Sequence, residues 1–275
     1  MISQAETKNA NGSIMAATFN ANKQHTLKTA ASISGTGLHT GVMAHLTLKP
    51  ATPGFGFQFQ RVDLPDQPII KADCDLVTDV SRGTTLESNG AKVSTVEHVL
   101  AALVGMGVDN CLLEINGPEM PIMDGSSQPF VELIEKAGVV EQDAAKIWYS
   151  IDENIYYYDE KKNVEMVAMP SMNYEITTLI DFNSPVLGTQ HAGLKQISDF
   201  KNEIAPCRTF CFLHELEMLL DNNLIKGGDL NNAIVVVDKP VGDAEMKRLK
   251  KIFEKEHIEV KSEGYLNNLD LRFPN

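Results

Sequence analysis

The spacing of apolar residues changes from two residues to about 3.6 residues near residue 95, and this change constrains the fold more than any other feature. Upstream of it, apolar residues alternate with others, which predicts half-buried strands: Val42, Ala44, Leu46 and Leu48, then Phe55, Phe57 and Phe59. Downstream of it, apolar residues fall on one helical stripe: Val96, Val99, Leu100, Leu103 and Val104. The sequence therefore predicts strands that lead into a helix.

Turn and capping residues divide this first region. Asn89-Gly90 predicts a hairpin turn. Ser94 is a candidate N-cap for the first helix, which Gly105 and Gly107 end. After a strand at 110–115, we predict a second helix that begins with Ser127 as its cap and ends at Gly138. Its apolar stripe consists of Phe130, Leu133, Ile134 and Ala137.

The second half repeats this order of elements. The polar stretch Glu141–Lys146 is interpreted as a linker. The strands predicted beyond it are Ile147–Ile151, Ile155–Tyr158, Val164–Met169 and Tyr174–Phe182. They are followed by a strand with Thr209, Phe210 and Phe212 and by a helix with Leu216, Leu219 and Leu220. After the turn Gly227-Gly228 come the strand Ala233–Val237 and a basic helix, Asp243–His257. The repeated order suggests two similar α/β units.

Charge and composition exclude some functions. The 24 basic and 37 acidic residues give a net charge of −13, which argues against a general nucleic-acid binder. A local basic patch could still bind an anionic nucleotide sugar. The four cysteines form no C-x-x-C pair or disulfide framework, which indicates a reducing, cytoplasmic location. No apolar run predicts an integral membrane segment. Residues 1–24 lack signal-peptide features and are interpreted as a disordered lead, with Met15 as a candidate start.

The segment Ser94–His98 carries the clearest catalytic chemistry. A zinc hydrolase needs a neutral imidazole to hold the metal and a carboxylate to take a proton from water. Adjacent Glu97 and His98 at a helix start can face one pocket. Two alternatives remain open. Ser94 and Glu97 also fit a capping box, and a lone histidine is more often structural, because the seven histidines include no H-E-x-x-H motif.

Six segments together resemble the UDP-3-O-acyl-N-acetylglucosamine deacetylase family in order and spacing: Ser34–Gly41, Ser94–His98, Val108–Asn110, Pro121–Ser126, Arg208–Phe210 and Lys226–Gly228. The resemblance runs from about residue 25 to the last residue. It implies an α+β fold of two similar α/β domains, each a sheet packed against helices, with the active site between them. We expect these domains at residues 25–140 and 146–275.

The resemblance also implies roles for individual residues. Glu97 matches the general base, His98 matches one of three zinc ligands, and Thr209 matches a threonine that stabilises the oxyanion. An apolar passage for the acyl chain is implied for four residues of the second-domain insert: Phe210, Leu216, Gly228 and Leu230. Taken alone, Thr209 also suits a strand and those four suit a core, while Asp124 suits an Asx turn as well as a site role.

The implied reaction is zinc-dependent hydrolysis of the N-acetyl group of UDP-3-O-(3-hydroxyacyl)-N-acetylglucosamine, which releases acetate early in lipid A biosynthesis. The rival hypothesis is a non-catalytic protein that binds the acyl chain or nucleotide sugar.

One part of the family's pattern has no match here. The His-Lys-x-x-Asp helix that supplies the other two zinc ligands, and the catalytic acid histidine, are not matched. We therefore expect an incomplete second domain ending at Leu271–Asn275, weak or absent zinc binding and no activity in this fragment. A fused 3-hydroxyacyl-carrier-protein dehydratase is expected beyond Asn275, as in fused members of the family.

Overall fold

Small sheets packed with two helices form the N-terminal half. The computed structural model describes residues 22–216, 226–239, 241–252, 258 and 264–266. The strands of this half are β1 Lys23–Leu27, β2 Ala31–Thr36, β3 Met43–Pro50, β4 Phe57–Arg61, β5 Ile69–Lys71, β6 Val77–Asp79, β7 Thr85–Ser88, β8 Ala91–Ser94, β9 Cys111–Ile115 and β10 Val139–Ala145. The helices are α1 Glu97–Gly105 and α2 Gln128–Ala137.

The central sheet has five strands in the order β2-β3-β9-β4-β5, and β6, β7 and β8 form a second sheet. Only β4 and β9 are parallel in the central sheet; its other described pairs are antiparallel. The alternation predicted from sequence is confirmed in β3, where Ala44, Leu46 and Leu48 are buried, although Val42 lies outside the strand and is exposed.

One apolar core joins the central sheet to both helices. Phe59 of β4 and Phe130 of α2 are fully buried in it, and each such side chain contributes about 1.5–3 kcal/mol of transfer free energy. The predicted stripe of α1 is confirmed at Val99 and Leu103, whereas Val104 is exposed. The core thus fixes the orientation of α1, whose first turn carries the predicted Glu-His pair.

The predicted turns of this half are confirmed. Asn89 and Gly90 both have positive φ, 52° and 76°, as a type I′ hairpin turn between β7 and β8 requires. Helix α1 ends at Gly105. Helix α2 has Ser127 at its N-cap and Gly138 at its C-cap, with Gly138 at φ 72°.

The predicted linker at 141–146 is wrong. Residues Val139–Ala145 form β10, which pairs antiparallel with β1. The strand was missed because burial alternates along it while hydropathy does not: its exposed residues are Glu141, Asp143 and Ala145. Lys23 and Gln24, assigned to the disordered lead, lie in β1 instead. Residues 1–21 of that predicted lead lie outside the described residues.

The second half consists of hairpins, a parallel strand pair and helices. Its elements are β11 Ile155–Asp159, β12 Val164–Ala168, β13 Ile176–Asp181, β14 Thr189–Leu194, α3 Phe200–Glu203, β15 Phe210–Phe212, β16 Ile234–Val236 and α4 Asp243–Ile252. Strands β11 and β12 form one hairpin and β13 and β14 another, while β15 pairs parallel with β16. The α+β class is therefore confirmed, and the division into two domains remains a prediction.

Some predictions for this half are wrong or lie outside the described residues. The strand predicted at Ile147–Ile151 does not form, and Trp148 is exposed beside the Lys146 ammonium, 5.5 Å from its ring centre. Residues 213–216 are helical. The rest of the predicted helix with Leu219 and Leu220, residues 253–257 of the basic helix, and Leu271–Asn275 lie outside the described residues.

Large apolar side chains of the two hairpins are exposed. All five residues of β12 and all six of β13 are exposed. The large hydrophobic residues that are exposed between positions 147 and 180, in the hairpins and the segments beside them, are Ile147, Trp148, Tyr149, Ile155, Tyr156, Tyr157, Tyr158, Val164, Met166, Val167, Met169, Met172, Tyr174, Ile176, Leu179 and Ile180. The apolar core of this half lies elsewhere, around β16 and α4.

Close backbone contacts connect the two halves. The N–H of Thr209 donates to the carbonyl of Gly125 at 2.7 Å, and the N–H of Gly227 donates to the carbonyl of Leu38 at 3.0 Å. A Cβ built at Gly125, which has φ 82°, would lie 2.2 Å from the carbonyl oxygen of Asn232. The loop at Gly125 therefore approaches the second half as closely as a backbone without a side chain permits.

Candidate active site

Glu97 and His98 are the first two residues of α1, as predicted. The capping-box interpretation of Glu97 is wrong. The N-cap of α1 is Val96, with no side-chain hydrogen bond, and the Ser94 hydroxyl donates instead to the carbonyl of Pro118 at 3.1 Å. Thr95 has φ 59°, and this left-handed residue redirects the chain just before the helix. Glu97 is thus available for contacts outside its own helix.

The carboxylate of Glu97 faces the loop between β6 and β7. Its Oε2 accepts a hydrogen bond from the N–H of Thr84 at 3.1 Å. A Cβ built at Gly83 would lie 3.2 Å from its Oε1, so a side chain there would crowd the carboxylate. This loop therefore fixes the orientation of Glu97 through backbone atoms alone.

His98 is partly buried beside two carboxylates. Burial lowers the pKa of His98, while the negative charges of Glu97 and Asp124 act in the opposite direction. The neutral imidazole is therefore favoured, and this is the form that binds a metal ion. The Ser127 hydroxyl donates to the backbone carbonyl of His98 at 3.0 Å, which ties the N-terminus of α2 to the first turn of α1.

Asp124 has the turn role that its sequence context suggests. Its Oδ1 accepts from the N–H of Ser126 at 3.0 Å and from the Ser126 hydroxyl at 2.7 Å, which confirms the Asx-turn interpretation. Its charge also acts on His98. The same loop holds Thr209, because the next residue, Gly125, accepts the Thr209 N–H. Loop 124–125 therefore bonds directly to Thr209, and the charge of Asp124 acts on His98.

A cavity of about 110 Å³ lies at Thr209, and it brings together some of the predicted substrate-binding residues. Its walls include Thr209, Phe210, Leu216 and Gly228. Leu230 is not among the lining residues and packs against the apolar core of the second half, as its core interpretation predicts. Phe210 is exposed and Leu216 is buried.

Sequence reasoning missed Asp229 and Asn232 of the cavity wall, and also two polar residues that come from the first half, His39 and Arg82. His39 was judged only as a residue of a Gly-rich turn, and no pattern marks Arg82. Both come from the first half, so they reach the cavity by long-range packing. Arg82 immediately precedes Gly83 and Thr84, the two residues that contact Glu97. It therefore connects the cavity wall to the loop that faces Glu97.

A family model described as "LpxC: UDP-3-O-acyl N-acetylglycosamine deacetylase" matches residues 24–258. The chain belongs to this family. The bifunctional enzyme LpxC/FabZ of Chlorobaculum tepidum is 45% identical over 255 residues, 92% of this chain and 55% of that protein. The corresponding protein of Bacteroides thetaiotaomicron is 44% identical over 253 residues, again 92% and 55%. The chain thus spans about half the length of these bifunctional relatives.

A relative of a different name matches over a shorter range. The UDP-3-O-acyl-N-acetylglucosamine deacetylase of Myxococcus xanthus is 45% identical over 214 residues, which is 78% of this chain and 68% of that protein. The six segments that carry the resemblance, from Ser34 to Gly228, all lie within the range that the family model matches.

The part of this LpxC-family chain that the structure describes contains one cluster of potential metal donors. There, the only group of three donor residues with ligand atoms within 4.8 Å of one another is Asp73, Cys74 and Asp75. All three are exposed in the 3₁₀ turn after β5. His98 belongs to no such group and offers one imidazole. Across the same described residues, no helix has the length and apolarity needed to span a membrane.

Proposed function

We propose that this protein acts in lipid A biosynthesis as a zinc-dependent deacetylase that hydrolyses the N-acetyl group of UDP-3-O-(3-hydroxyacyl)-N-acetylglucosamine and releases acetate. The observation that carries the proposal is the position of Glu97 and His98 at the start of α1, where Ser127 bonds to His98 and the upstream Gly125 bonds to Thr209. Relatives named UDP-3-O-acyl-N-acetylglucosamine deacetylase support the same reaction and substrate.

Glu97 is the proposed general base. A general base must lie within hydrogen-bond reach of the proton that it removes, in a fixed orientation. The Thr84 N–H occupies one oxygen of Glu97. We propose that the other oxygen takes a proton from the attacking water. Held by backbone atoms, the carboxylate loses little conformational freedom when substrate binds.

His98 is a proposed zinc ligand. Its neutral imidazole, favoured by burial, suits this role. When bound, zinc supplies Lewis-acid polarisation of the amide carbonyl and lowers the pKa of water. Three protein donors are usual in a catalytic zinc site, and the described residues offer His98 without a grouped pair of further donors. Because the His-Lys-x-x-Asp ligands of the family's pattern are unmatched in the sequence, we expect these 275 residues to hold zinc weakly after dialysis, as metal analysis would measure.

Thr209 is the proposed donor to the oxyanion. Its backbone N–H and carbonyl are engaged by Gly125 and Ile234, at 2.7 Å and 2.9 Å, so its position is fixed from both sides. A preorganised donor of this kind stabilises developing negative charge without reorganisation during the reaction. The hydroxyl is the group of Thr209 that would act, since the backbone N–H is occupied.

The cavity suits a substrate with an apolar chain and an anionic head. Phe210 and Leu216 offer apolar wall for the acyl chain, together with Gly228. Arg82 places a guanidinium at the same cavity, and guanidinium groups bind phosphate oxygens well. The cavity wall also carries the acidic residue Asp229, so Arg82 is the positively charged group there that supports binding of a UDP phosphate by this acidic protein.

The proposal includes a location and a partner. All four cysteines are free thiols, which supports the reducing cytoplasm as the compartment. The relatives named as bifunctional support a fused dehydratase as the accompanying activity. No role for nucleic acid is proposed, given the acidic charge.

The direct test is acetate release from the N-acetylated UDP-sugar by the full-length protein, with Glu97→Gln beside it. Loss of at least about 100-fold in kcat in this variant is expected for a general base. The rival hypothesis, a binding protein without catalysis, predicts that the full-length protein binds the substrate and releases no acetate.

A further inference from the structure

We propose that Glu119 is a positioning residue of this site: one buried carboxylate that holds both the turn before Glu97 and the loop that carries His39 to the cavity. The inference rests on the proposed function of Glu97. It concerns a residue that neither the sequence motifs nor the proposed mechanism uses. Glu119 lies between β9 and α2 and is 2% exposed.

Both oxygens of Glu119 accept two hydrogen bonds. Oε1 accepts from the N–H of His39 at 2.8 Å and from the hydroxyl of Thr95 at 3.2 Å. Oε2 accepts from the N–H of Thr40 at 2.8 Å and from the Thr40 hydroxyl at 2.7 Å. Four donors therefore replace the water that an ionised carboxylate loses on burial.

The first segment that Glu119 holds is the turn before α1. Thr95 has φ 59°, and a β-branched residue in this region is strained unless its surroundings enforce the conformation. The Thr95 hydroxyl donates to Glu119. The backbone of the preceding residue, Ser94, pairs with the two chain neighbours of Glu119: its N–H donates to the carbonyl of Pro118, and its carbonyl accepts from the N–H of Met120. Thr95 lies two residues before Glu97, so its conformation sets the direction in which the catalytic carboxylate leaves the chain.

The second segment is the loop from 37 to 41. A Cβ built at Gly37 would lie 2.4 Å from Glu119 Oε2, so the loop closes around the carboxylate with no space for a side chain. The loop carries His39, which lines the cavity, and Leu38, whose carbonyl accepts the N–H of Gly227 from the second half. Glu119 thereby connects the general base, the cavity wall and the contact between the halves.

The isosteric variant Glu119→Gln removes hydrogen bonds that Glu119 accepts while it keeps the size and shape of the side chain. Each oxygen of Glu119 accepts from one backbone N–H, His39 for Oε1 and Thr40 for Oε2. An amide has only one oxygen, so its NH₂ group faces one of these N–H donors in either orientation. Glutamine therefore fills the same space but cannot satisfy both backbone donors.

A double-mutant cycle tests whether Glu119 acts through Glu97. In the full-length protein, Glu119→Gln is expected to lower kcat by at least 10-fold, with a smaller change in KM. In the Glu97→Gln background the same substitution is expected to lower kcat by less than twofold, because the group being positioned is already lost. Glu114→Gln on β9, which breaks only the surface pair with Lys49, is the matched control and is expected to leave kcat unchanged.

Two outcomes of the cycle are distinguishable from each other. An equal loss of kcat in both backgrounds would overturn the positioning role while leaving the role of Glu97 intact. Full activity of Glu97→Gln would instead remove the proposed general base, and the proposed function with it.

Amide hydrogen exchange gives a readout that does not depend on activity. The Thr84 N–H bonds to Glu97 Oε2 and lies outside the contacts of Glu119. If Glu119 orients Glu97, the Thr84 amide is expected to exchange at least 10-fold faster in Glu119→Gln, while the amides of β9 exchange as before. Unchanged exchange at Thr84, with faster exchange confined to His39 and Thr40, would show that Glu119 supports only the loop and would overturn the proposal.

Discussion

The backbone N–H of Thr84 donates to Oε2 of Glu97 across 3.1 Å, so a loop from another sheet orients the first carboxylate of α1. The Thr84 donor is a backbone group that a side-chain substitution does not remove, whereas a side chain added at Gly83 would crowd the carboxylate. The chemistry of the Glu97 side chain remains the feature that mutation can alter selectively.

Replacing Glu97 by Gln is expected to lower kcat by at least about 100-fold, because the amide cannot accept a proton at neutral pH. It keeps an oxygen for the Thr84 N–H, so the fold should be retained. Steady-state kinetics of the full-length protein measure the loss, and zinc content is expected to stay near that of the unsubstituted protein. Glu87→Gln, at an exposed position of β7, is the control. Unchanged turnover in Glu97→Gln would return Glu97 to a purely structural role.

Two substitutions of Thr209 distinguish the contribution of its hydroxyl group from that of its side-chain shape. Thr209→Val keeps the branched side chain and both backbone hydrogen bonds but removes the hydroxyl, and kcat is expected to fall about 100-fold, as for loss of an oxyanion donor. Thr209→Ser retains the hydroxyl and should keep most of the activity. Equal kcat values for the two variants would argue that Thr209 contributes only packing.

Arg82→Ala is expected to raise KM about 10-fold with little change in kcat, the effect of losing one charge-assisted hydrogen bond to a phosphate. The increase should shrink in high salt, since ions screen an exposed guanidinium. Lys92→Ala removes one exposed positive charge from β8 and is the matched control. If both variants raise KM alike, the effect is one of overall charge and Arg82 has no specific contact with substrate.

Thiol reactivity provides a test of burial that does not require substrate. Burial raises the pKa of Cys211 to about 11 and that of Cys111 to about 12. At pH 8 only about one thousandth of Cys211 is thiolate, the reactive form. Cys74 is exposed, so a thiol reagent should modify it first, and Cys74→Ser should remove that fast phase. Modification of Cys211 should accelerate as the pH rises towards 11. Rapid modification of Cys211 at pH 8 would contradict its burial.

Gly125→Ala tests the close approach between the halves. The substitution places a Cβ 2.2 Å from the carbonyl oxygen of Asn232, in addition to the cost of φ 82°. Gly54→Ala is the control, because Gly54 has φ 77° but no atom within 4 Å of its Cβ position. The control should lose about 1–2 kcal/mol of unfolding free energy, and Gly125→Ala a further 1–3 kcal/mol or so from overpacking. Equal losses in urea unfolding would mean that the loop shifts to admit the methyl group.

Local signals predicted the first half well, and long-range packing accounts for what they missed. Glycine and helical periodicity located both helices, and Asn89-Gly90 located a hairpin, because these features depend on nearby residues only. Strand β10 was missed because charged residues occupy its exposed face. Its pairing with β1 joins segments more than one hundred residues apart, which local patterns do not report.

The candidate site shows the same division. The position of Glu97 and His98 at a helix start was predicted from local spacing and is confirmed. The hydrogen bond from Thr84 to Glu97, and the place of Arg82 in the cavity, arise when the β6–β7 loop folds over α1. The left-handed conformation of Thr95 explains why the apparent capping box was wrong: it moves the N-cap to Val96.

The exposed hairpins β11–β12 and β13–β14 determine how unfolding of this chain can be monitored. Environment-sensitive dyes fluoresce when they bind apolar surface, and here tyrosines, methionines and isoleucines already provide it in the folded state. A dye-based melting curve should therefore start from a high baseline and rise little on heating. Circular dichroism, which reports backbone structure instead, should give the larger transition and is the better assay for comparing variants.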